Sequence, residues 1–299
     1  MPDKARIQTD KELAKMERKI VSIYSDANAD ITKKWDAYMK EVKPQVDALQ
    51  KAYEEAKKSG DKDLIKKTGK KYGIELRKYT LENKKYQRMV DRTTTEIAHA
   101  NERALAYING EMPKIYAINY NQMALDTDKI KGYSFDLVDE STVKNLIVND
   151  DVSLLKKRLD IPKDKAWNTK SINSQVLQGI IQGEPVSAIA ERLRNVTNMN
   201  EASSMRNART MVTSAECKGR QDSYYRATAD GIIMKKVWMA VNDEHTRTSH
   251  AELNGEEVDV DDTFGNELMY PGDPSGEPSE VYNCRCTMIS HIIGFKKHG

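Results

Sequence analysis

Cysteine is scarce in this sequence. The 299 residues contain three cysteines, and two of them, Cys284 and Cys286, are separated by a single residue. So few thiols exclude a fold that is held together by several disulfides. A disulfide between Cys284 and Cys286 is also disfavoured, because it would close a very tight ring and because the expected compartment is reducing. The pair is therefore expected to be two reduced, buried thiols or part of a metal site.

Long apolar runs are missing as well. The first residues are charged throughout and contain no apolar signal core, and no later stretch approaches the ~18 consecutive apolar residues of a membrane span. These absences predict an intracellular protein with no membrane partner. The sequence also lacks a glycine-rich phosphate loop and a His-Glu-x-x-His pair, which argues against P-loop nucleotide hydrolysis and against the commonest zinc proteases.

Neither sign of charge is in excess, since the chain has 48 basic and 46 acidic residues and a net charge of +2. The chain as a whole is therefore not attracted electrostatically to nucleic acid or to membranes. Positive charge is concentrated locally in four lysine pairs, which are Lys57-Lys58, Lys66-Lys67, Lys70-Lys71 and Lys84-Lys85. They indicate either a solvated helix face or a surface for non-specific DNA contact.

The sequence does contain a long helical pattern in residues 1–130. Apolar residues three and four positions apart run through residues 13–53 and again through residues 64–108. Pro44 is expected to kink or interrupt the first stretch, and Ser59-Gly60 predicts its end. The pattern predicts two long antiparallel helices, a hairpin or arm that either buries its apolar stripe internally or docks onto a larger assembly.

The middle of the chain is predicted to change character at residue 171. Residues 131–170 are expected to form an irregular connector, with short helical candidates at residues 141–148 and 152–159 and a breaker at Ile161-Pro162. Residues 171–230 are expected to be helical. Their predicted helices are one that ends near Gly183, a short one capped by Ser187 and a longer one capped by Asn200.

After Gly231 the pattern becomes typical of strands. Residues 232–241, 257–260 and 284–293 alternate or run apolar, and a loop rich in glycine and proline separates the last two stretches. Residues 232–299 are therefore expected to form a small α+β unit. The fold class predicted for the whole chain is α+β and predominantly helical, with a long N-terminal helical hairpin or arm, a central helical region and this C-terminal unit.

The candidate site combines the Cys-x-Cys pair with the segment NDEHTRTSH. In a strand, residues two apart point to the same face, so both thiols can face one ligand. His250 is then the natural third ligand of a zinc ion, with Asp243 or His245 as the fourth or as a partner that orients the third. A reduced cysteine pair in the core is the alternative. Hydrolytic chemistry through Asp243, Glu244 and His250 is a further one.

The C-terminal third contains uncommon residues in a fixed order. They are Trp238, Asp243, Thr246-Arg247, His250, Gly255, Val258, Phe264, Pro271-Gly272-Asp273 and Asn283-Cys284-Arg285-Cys286. Together with the upstream stretches LQGIIQGEPVSAIAERL and NARTMVTSAE, this series resembles the phage Mu F-like head morphogenesis family over about residues 170–290. Members commonly have His-Pro before the last motif, whereas Val281-Tyr282 stands there in this sequence, so one potential metal ligand is absent.

The resemblance implies a minor head (capsid) protein that acts in phage head morphogenesis, is present in few copies and is not an enzyme. Its implied partners are the portal protein, a scaffold or major capsid protein and, through non-specific contact, packaged DNA. It would assemble in the host cytoplasm and end in the virion. No cofactor is required, although zinc fits the site described above. The alternatives are a metal-dependent hydrolase or nuclease-like enzyme and a DNA-binding accessory protein delivered with the genome.

The resemblance also implies a division of the chain. Residues 171–299 would be the head morphogenesis domain, residues 131–170 the connector, and residues 1–130 the arm that docks to partners. The C-terminal domain is then expected to fold without residues 1–125.

Overall fold

The computed structural model describes residues 3–149, 154–155 and 158–296, and in this part of the chain it is predominantly helical with a small sheet. Its helices are α1 (Lys4–Ser59), α2 (Lys62–Tyr79), α3 (Lys84–Tyr120), α4 (Gln122–Asp126), α5 (Glu140–Val148), α6 (Ile161–Ile181), α7 (Val186–Ala229), α8 (Thr248–Glu252) and α9 (Pro278–Val281), and its strands are β1 (Ile232–Met239), β2 (Glu257–Asp259) and β3 (Thr287–Phe295). The expected α+β class with helices in the majority is confirmed. Among the described helices, none combines the length and apolar character that a membrane span needs.

The chain divides into two compact units, each made of separate stretches of sequence. The sheet unit comprises the described residues of Met1–Lys19, Leu105–Arg158 and Ser204–Gly299, and the helical unit comprises Ile20–Ala104 and Leu159–Ser203. Helices α1, α3 and α7 each contribute residues to both units. The division at residues 130 and 170 that the sequence suggests stays a prediction.

The first helix ends where the sequence predicts. Helix α1 runs for 56 residues to Ser59, and Gly60 follows with a φ of 73°, a left-handed conformation that glycine adopts without strain. The carboxylate of Asp61 then accepts hydrogen bonds from the backbone amides of Asp63 and Leu64 and caps α2.

The expected interruption of α1 at Pro44 is wrong, because the helix continues through this residue. A proline inside a helix costs about 3 kcal/mol, since it removes one hydrogen bond and crowds the preceding turn. Val42 and Val46, on either side of Pro44, are both buried in the core of the helical unit. Burial of each such side chain contributes about 1.5–3 kcal/mol, which is enough to offset the proline.

The second apolar stripe forms two helices rather than one. Helix α2 ends at Tyr79 and α3 begins at Lys84. In the turn between them, the side chain of Asn83 accepts hydrogen bonds from the backbone amides of Lys85, at 2.8 Å, and Tyr86, at 3.3 Å. Asparagine is a strong helix-capping residue, so this side chain restarts the helix at a point that the spacing of apolar residues does not reveal.

The helical unit confirms the antiparallel arrangement of α1 and α3. Residues that come later in α1 contact residues that come earlier in α3. The Tyr24 hydroxyl lies 2.6 Å from Asn101 Oδ1, and Trp35 Nε1 donates to Thr93 Oγ1 at 2.7 Å. The apolar stripe of α1 is buried in this unit together with residues from α6 and α7. The cluster comprises Ile31, Trp35, Tyr38, Met39, Val42, Val46, Tyr86, Met89, Val90, Ile97, Ile172, Val176, Ile180, Ile189, Leu193 and Val196. Internal packing, rather than docking, therefore accounts for this part of the stripe.

The central region is more regular than the sequence suggests. The first short helix is confirmed as α5. Half of the second candidate, residues 152–159, lies outside the described residues, and its described residues, 154–155 and 158–159, are not helical. The predicted breaker at Ile161-Pro162 is wrong, because α6 begins there. Asp160 accepts a hydrogen bond from the backbone amide of Lys163, and Pro162 occupies the first turn, where its missing N–H would have no partner in any case.

Helix α7 is a single helix where the sequence predicts two. Asn200, the expected cap, lies inside it, and its side-chain amide donates to the carbonyl oxygen of Val196 and to Asn168 Oδ1, both at 2.9 Å. Ser187 likewise lies within the helix, one residue after its start. Capping residues inside a helix are tolerated when their polar atoms find other partners, as those of Asn200 do here.

The sheet has the strand order β2-β1-β3, with both pairs antiparallel. Strand β1 is central, and in the register of β1 with β3 Trp238 lies opposite Met288. The sequence predicts that both cysteines of the motif lie within the last strand. Strand β3 begins at Thr287, so the cysteines instead precede it.

Within the sheet unit, α7 packs closely against α3. The Tyr116 hydroxyl donates to Asp222 Oδ2 at 2.8 Å. Gly219 lies so near the other helix that a methyl group there would be 2.5 Å from the carbonyl oxygen of Tyr116 and 3.2 Å from the backbone nitrogen of Tyr120. Only glycine permits this approach of two backbones.

Candidate functional site

Contacts from α7 fix the backbone around the Cys-x-Cys motif. Helix α9 ends at Val281, and Asn283 then adopts a φ of 57°, which turns the chain toward β3. Its amide donates to Thr210 Oγ1 at 2.8 Å. The next carbonyl oxygen, that of Cys284, accepts a hydrogen bond from Thr213 Oγ1 at 2.7 Å. Thr210 and Thr213, which lie one helical turn apart in α7, therefore hold the backbone at Asn283 and at Cys284.

His250 lies between the two cysteines and a carboxylate. The residue is on the short helix α8, is 1% exposed, and its ring packs edge-on against Trp238 with centroids 5.2 Å apart. Its Nδ1 atom is 3.6 Å from Cys284 Sγ and 3.4 Å from Cys286 Sγ. Its Nε2 atom is 2.9 Å from Glu280 Oε2. The ring thus presents one nitrogen to the sulfurs and the other to an acid.

The two thiols have different acidities. The hydrogen bond between them raises the pKa of Cys284, and burial raises it further. The same hydrogen bond lowers the pKa of Cys286, as does the nearby His250. The two hydrogen-bonded thiols therefore titrate as one coupled pair.

The structure does not bring Asp243 or His245 into this group. The Asp243 carboxylate forms a two-pronged ion pair with Arg285, with Arg285 Nη1 2.6 Å from Asp243 Oδ2, and this pairing holds the pKa of Asp243 well below its usual range. His245 is 74% exposed and lies beside Glu244. Within the described residues, the set with metal-ligand spacing consists of His250, Cys284 and Cys286.

The remaining motif residues shape the backbone. Gly255 has a φ of 86°, and its amide donates to the carbonyl oxygen of Trp238 at 2.8 Å, while the Trp238 amide donates to Glu256 at 3.0 Å. The guanidinium of Arg247 donates to the carbonyl oxygen of Tyr282. These contacts connect β1, α8 and the turn before the cysteines, so most of the motif builds the site rather than lining an open cleft.

Sequence reasoning missed the residues that support the motif from the start of the chain. Arg6 Nη1 donates to Glu216 Oε2 at 2.8 Å, and Arg6 Nη2 donates to the carbonyl oxygen of Arg285 at 3.2 Å. Glu216, which is fully buried, also accepts from Thr287 Oγ1 at 2.6 Å. More than 200 residues separate Arg6 from these partners, so no local pattern could have indicated the contacts.

A second buried arginine is tied to the same segment. Arg220 is 1% exposed and donates to both carboxylate oxygens of Asp3, at 2.6 and 2.9 Å, as well as to Asn119 Oδ1 and the carbonyl oxygen of Met288. The carboxylate of Glu216 is farther from Arg220, at 3.9 Å. Glu280 lies 30 residues after His250, so the sequence does not indicate their contact either.

Comparison with known proteins gives a family match and two relatives. Residues 170–289 match the family described as Phage Mu protein F like protein. Over 166 residues the chain is 34% identical to NAD(+)--arginine ADP-ribosyltransferase EFV of Enterococcus faecalis, a match that covers 54% of this chain and 33% of the transferase. Over 286 residues it is 23% identical to Minor head protein GP7 of Bacillus phage SPP1, which covers 93% of this chain and 86% of that protein.

The two matches differ in extent. The chain spans about a third of the length of the transferase, whereas it spans most of the minor head protein. No solved structure matches the chain significantly.

Proposed function

From the match of residues 170–289 to the phage Mu protein F like family, we propose that the protein is a minor head protein of a tailed phage. It acts in head morphogenesis and is present in few copies. It attaches to the portal protein and to the scaffold or major capsid protein. It assembles in the host cytoplasm and becomes part of the virion.

The observation that carries this proposal is the match to Minor head protein GP7, which extends over 93% of this chain and 86% of that protein. A match of nearly full length on both sides is expected when two whole chains have the same role. A domain shared between proteins of different function would match over a part of each. The almost complete coverage therefore favours a head protein over a chain that only borrows its C-terminal domain.

The contacts of the motif residues agree with a structural role. Trp238, Gly255, Asn283 and Arg285 hold backbone turns and pack or pair within the sheet unit. Attachment to other head components is proposed for the helical unit, which contains most of the residues that the sequence assigns to docking.

The proposal is tested in a phage whose copy of the gene is deleted and supplied from a plasmid. The expected result is that purified heads contain the protein at an amount far below that of the major capsid protein and comparable with that of the portal protein, as measured by quantitative mass spectrometry. Heads assembled by a portal-defective phage are the control and should lack it. Its absence from normal heads would refute the head protein, and its normal amount in portal-free heads would refute the portal attachment.

No catalytic activity is assigned to the chain. The transferase activity belongs to a relative of which the match covers a third, so most of that enzyme has no counterpart in the match. The purified protein is expected to release no nicotinamide from NAD+ and, with or without added zinc, to leave DNA uncut. Turnover in either assay would contradict the proposal.

Helix α2 favours a second function, non-specific contact with packaged DNA. The lysines at positions 66, 67, 70 and 71 are all exposed on this helix, which buries none of its residues. Within the described part of the chain these four make no ion pair, whereas Lys34, Lys51, Lys78 and Lys85 each pair with a carboxylate. Unpaired lysines on one face are suited to phosphate contacts.

Replacement of the four unpaired lysines by glutamine is expected to weaken DNA binding and to flatten its dependence on salt. Each phosphate contact that is lost reduces the slope of log affinity against log salt by about one. Gel-shift titrations over a series of salt concentrations measure both quantities. The control variant replaces Lys34, Lys51, Lys78 and Lys85 by glutamine, which removes the same charge from lysines that are already paired. Equal effects of the two variants would show that net charge, rather than the four unpaired lysines, governs binding.

A further inference from the structure

We propose that His250, Cys284 and Cys286 bind one zinc ion in the sheet unit, with Glu280 positioning the histidine from outside the coordination sphere. The inference is independent of the role in head assembly, because it concerns the fold of the C-terminal part. The sequence suggests Asp243 or His245 as the fourth ligand. Neither residue belongs to the group of ligand atoms, so we assign the fourth position to a water molecule.

The distances between the ligand atoms match those of a zinc site. Zinc binds cysteine sulfur at about 2.3 Å and histidine nitrogen at about 2.0–2.1 Å in tetrahedral geometry, so nitrogen and sulfur ligands are about 3.6 Å apart. His250 Nδ1 lies 3.6 Å from one sulfur and 3.4 Å from the other, and all three ligand atoms lie within 4.8 Å of one another. The ion can therefore enter with only small movements of the side chains.

The partner of the second ring nitrogen also fits a metal ligand. A histidine that binds zinc usually donates its other N–H to a carboxylate, which fixes the tautomer and makes the free nitrogen more basic. His250 Nε2 lies 2.9 Å from Glu280 Oε2, so the proton is held there and Nδ1 keeps its lone pair for the ion. Ser249 Oγ lies 3.1 Å from the same carboxylate oxygen and helps to hold it in place.

The surroundings favour an ion over a simple pair of thiols. The three ligand residues are at most 3% exposed and lie at the edge of an apolar cluster, where polar groups without partners are costly. The Trp238 indole N–H is also fully buried, and the Trp238 side chain hydrogen-bonds to Cys286 while its ring packs against that of His250. A metal-bound thiolate is a stronger acceptor for this N–H than a thiol.

Zinc is the metal that this set selects. Two thiolates and an imidazole are soft and borderline ligands in tetrahedral arrangement, which suits zinc and does not suit calcium or magnesium. Three protein ligands leave the fourth position to water. The ion would connect α8 to the segment that leads from α9 into β3.

The test uses the full chain, produced with zinc in the medium and freed of loosely bound metal by gel filtration. Elemental analysis is expected to find one zinc per chain in the wild type and in Cys217→Ser. The variants Cys284→Ser and Cys286→Ser are expected to lose it. Cys217 is the matched control, because it is fully buried in the same apolar cluster yet lies outside the ligand set. Glu280→Gln is expected to retain the site with affinity reduced about 10–100-fold, as measured by competition with a chelator.

Cobalt substitution of the wild type removes any dependence on variants that do not fold. Cobalt bound by two thiolates gives an intense thiolate-to-metal charge-transfer band and the visible spectrum of tetrahedral cobalt, and zinc should displace both. A wild-type protein without stoichiometric metal, a cobalt spectrum without the thiolate band, or equal loss of zinc in Cys217→Ser would overturn the proposal.

Discussion

A chain without its first 19 residues is expected to lose the fold of the sheet unit, although the family match begins only at residue 170. Asp3 provides the carboxylate 2.6–2.9 Å from the buried Arg220, and Arg6 is the arginine that pairs at 2.8 Å with the buried Glu216. Removal of one partner from a buried ion pair costs about 3–5 kcal/mol. The two charges that the truncation leaves behind, Arg220 and Glu216, lie 3.9 Å apart and compensate each other in part, so the double loss costs less than the sum of the two. Such a loss is still a large share of the total stability of many domains, about 5–15 kcal/mol.

Urea unfolding followed by near-ultraviolet circular dichroism measures this effect, since Trp238 is buried in the sheet unit. The same contacts lead us to expect that the fragment 171–299 does not fold alone, the opposite of the expectation from the sequence. A truncated chain that unfolds cooperatively at the midpoint of the full chain would show that the N-terminal segment is dispensable.

Two single substitutions test the contribution of the Asp3 charge without removing any part of the chain. Asp3→Asn keeps the size of the side chain and removes its charge, and should destabilise by about 2–3 kcal/mol, because Asp3 is partly exposed and water compensates for some of the loss. Asp10→Asn is the control. Asp10 is 54% exposed and pairs with Arg6 at 3.3 Å, so its effect should not exceed about 1 kcal/mol.

Gly219→Ala is expected to destabilise the protein, although alanine is normally the better helix former. At an open helical position the change from glycine to alanine stabilises by about 0.5–1 kcal/mol. Here the new methyl group would lie 2.5 Å from the carbonyl oxygen of Tyr116, and because this neighbour is backbone, α3 and α7 must separate. Overpacking of this kind costs about 1–3 kcal/mol, so the sign of the effect reverses.

Gly110→Ala is the matched control, because Gly110 lies in α3 and a methyl group there would meet nothing within 4 Å. It should raise the midpoint of urea unfolding while Gly219→Ala lowers it. Midpoints that shift in the same direction would mean that the two helices can separate at little cost.

The local features of the fold could be predicted from the sequence, whereas the contacts between distant segments could not. The apolar stripe, the helix end at Gly60 and the strand near residue 232 each depend on neighbouring residues, and the structure confirms them. The breaker at Ile161-Pro162 was wrong for a local reason too, since Asp160 immediately before it caps a helix.

Within the candidate site, the types of residue indicated part of the arrangement. Two cysteines and a histidine suggested one cluster, and the structure brings Cys284, Cys286 and His250 together. Asp243 could not be assigned correctly from the sequence, because its ion-pair partner, Arg285, comes from a segment 42 residues away. Glu280 likewise meets His250 only after the chain has folded.

The contact between Arg6 and the carbonyl oxygen of Arg285 has a consequence for the order of events on the ribosome. Domains generally fold as they are synthesised, beginning with the N-terminal part. The helical unit is complete in sequence once residue 203 has emerged, but Asp3 and Arg6 must wait for Arg220 and Glu216, and Arg6 also for the carbonyl oxygen of Arg285. A nascent chain that stops before residue 216 therefore leaves Asp3 and Arg6 without their distant partners, so incomplete copies differ from finished ones at their very beginning.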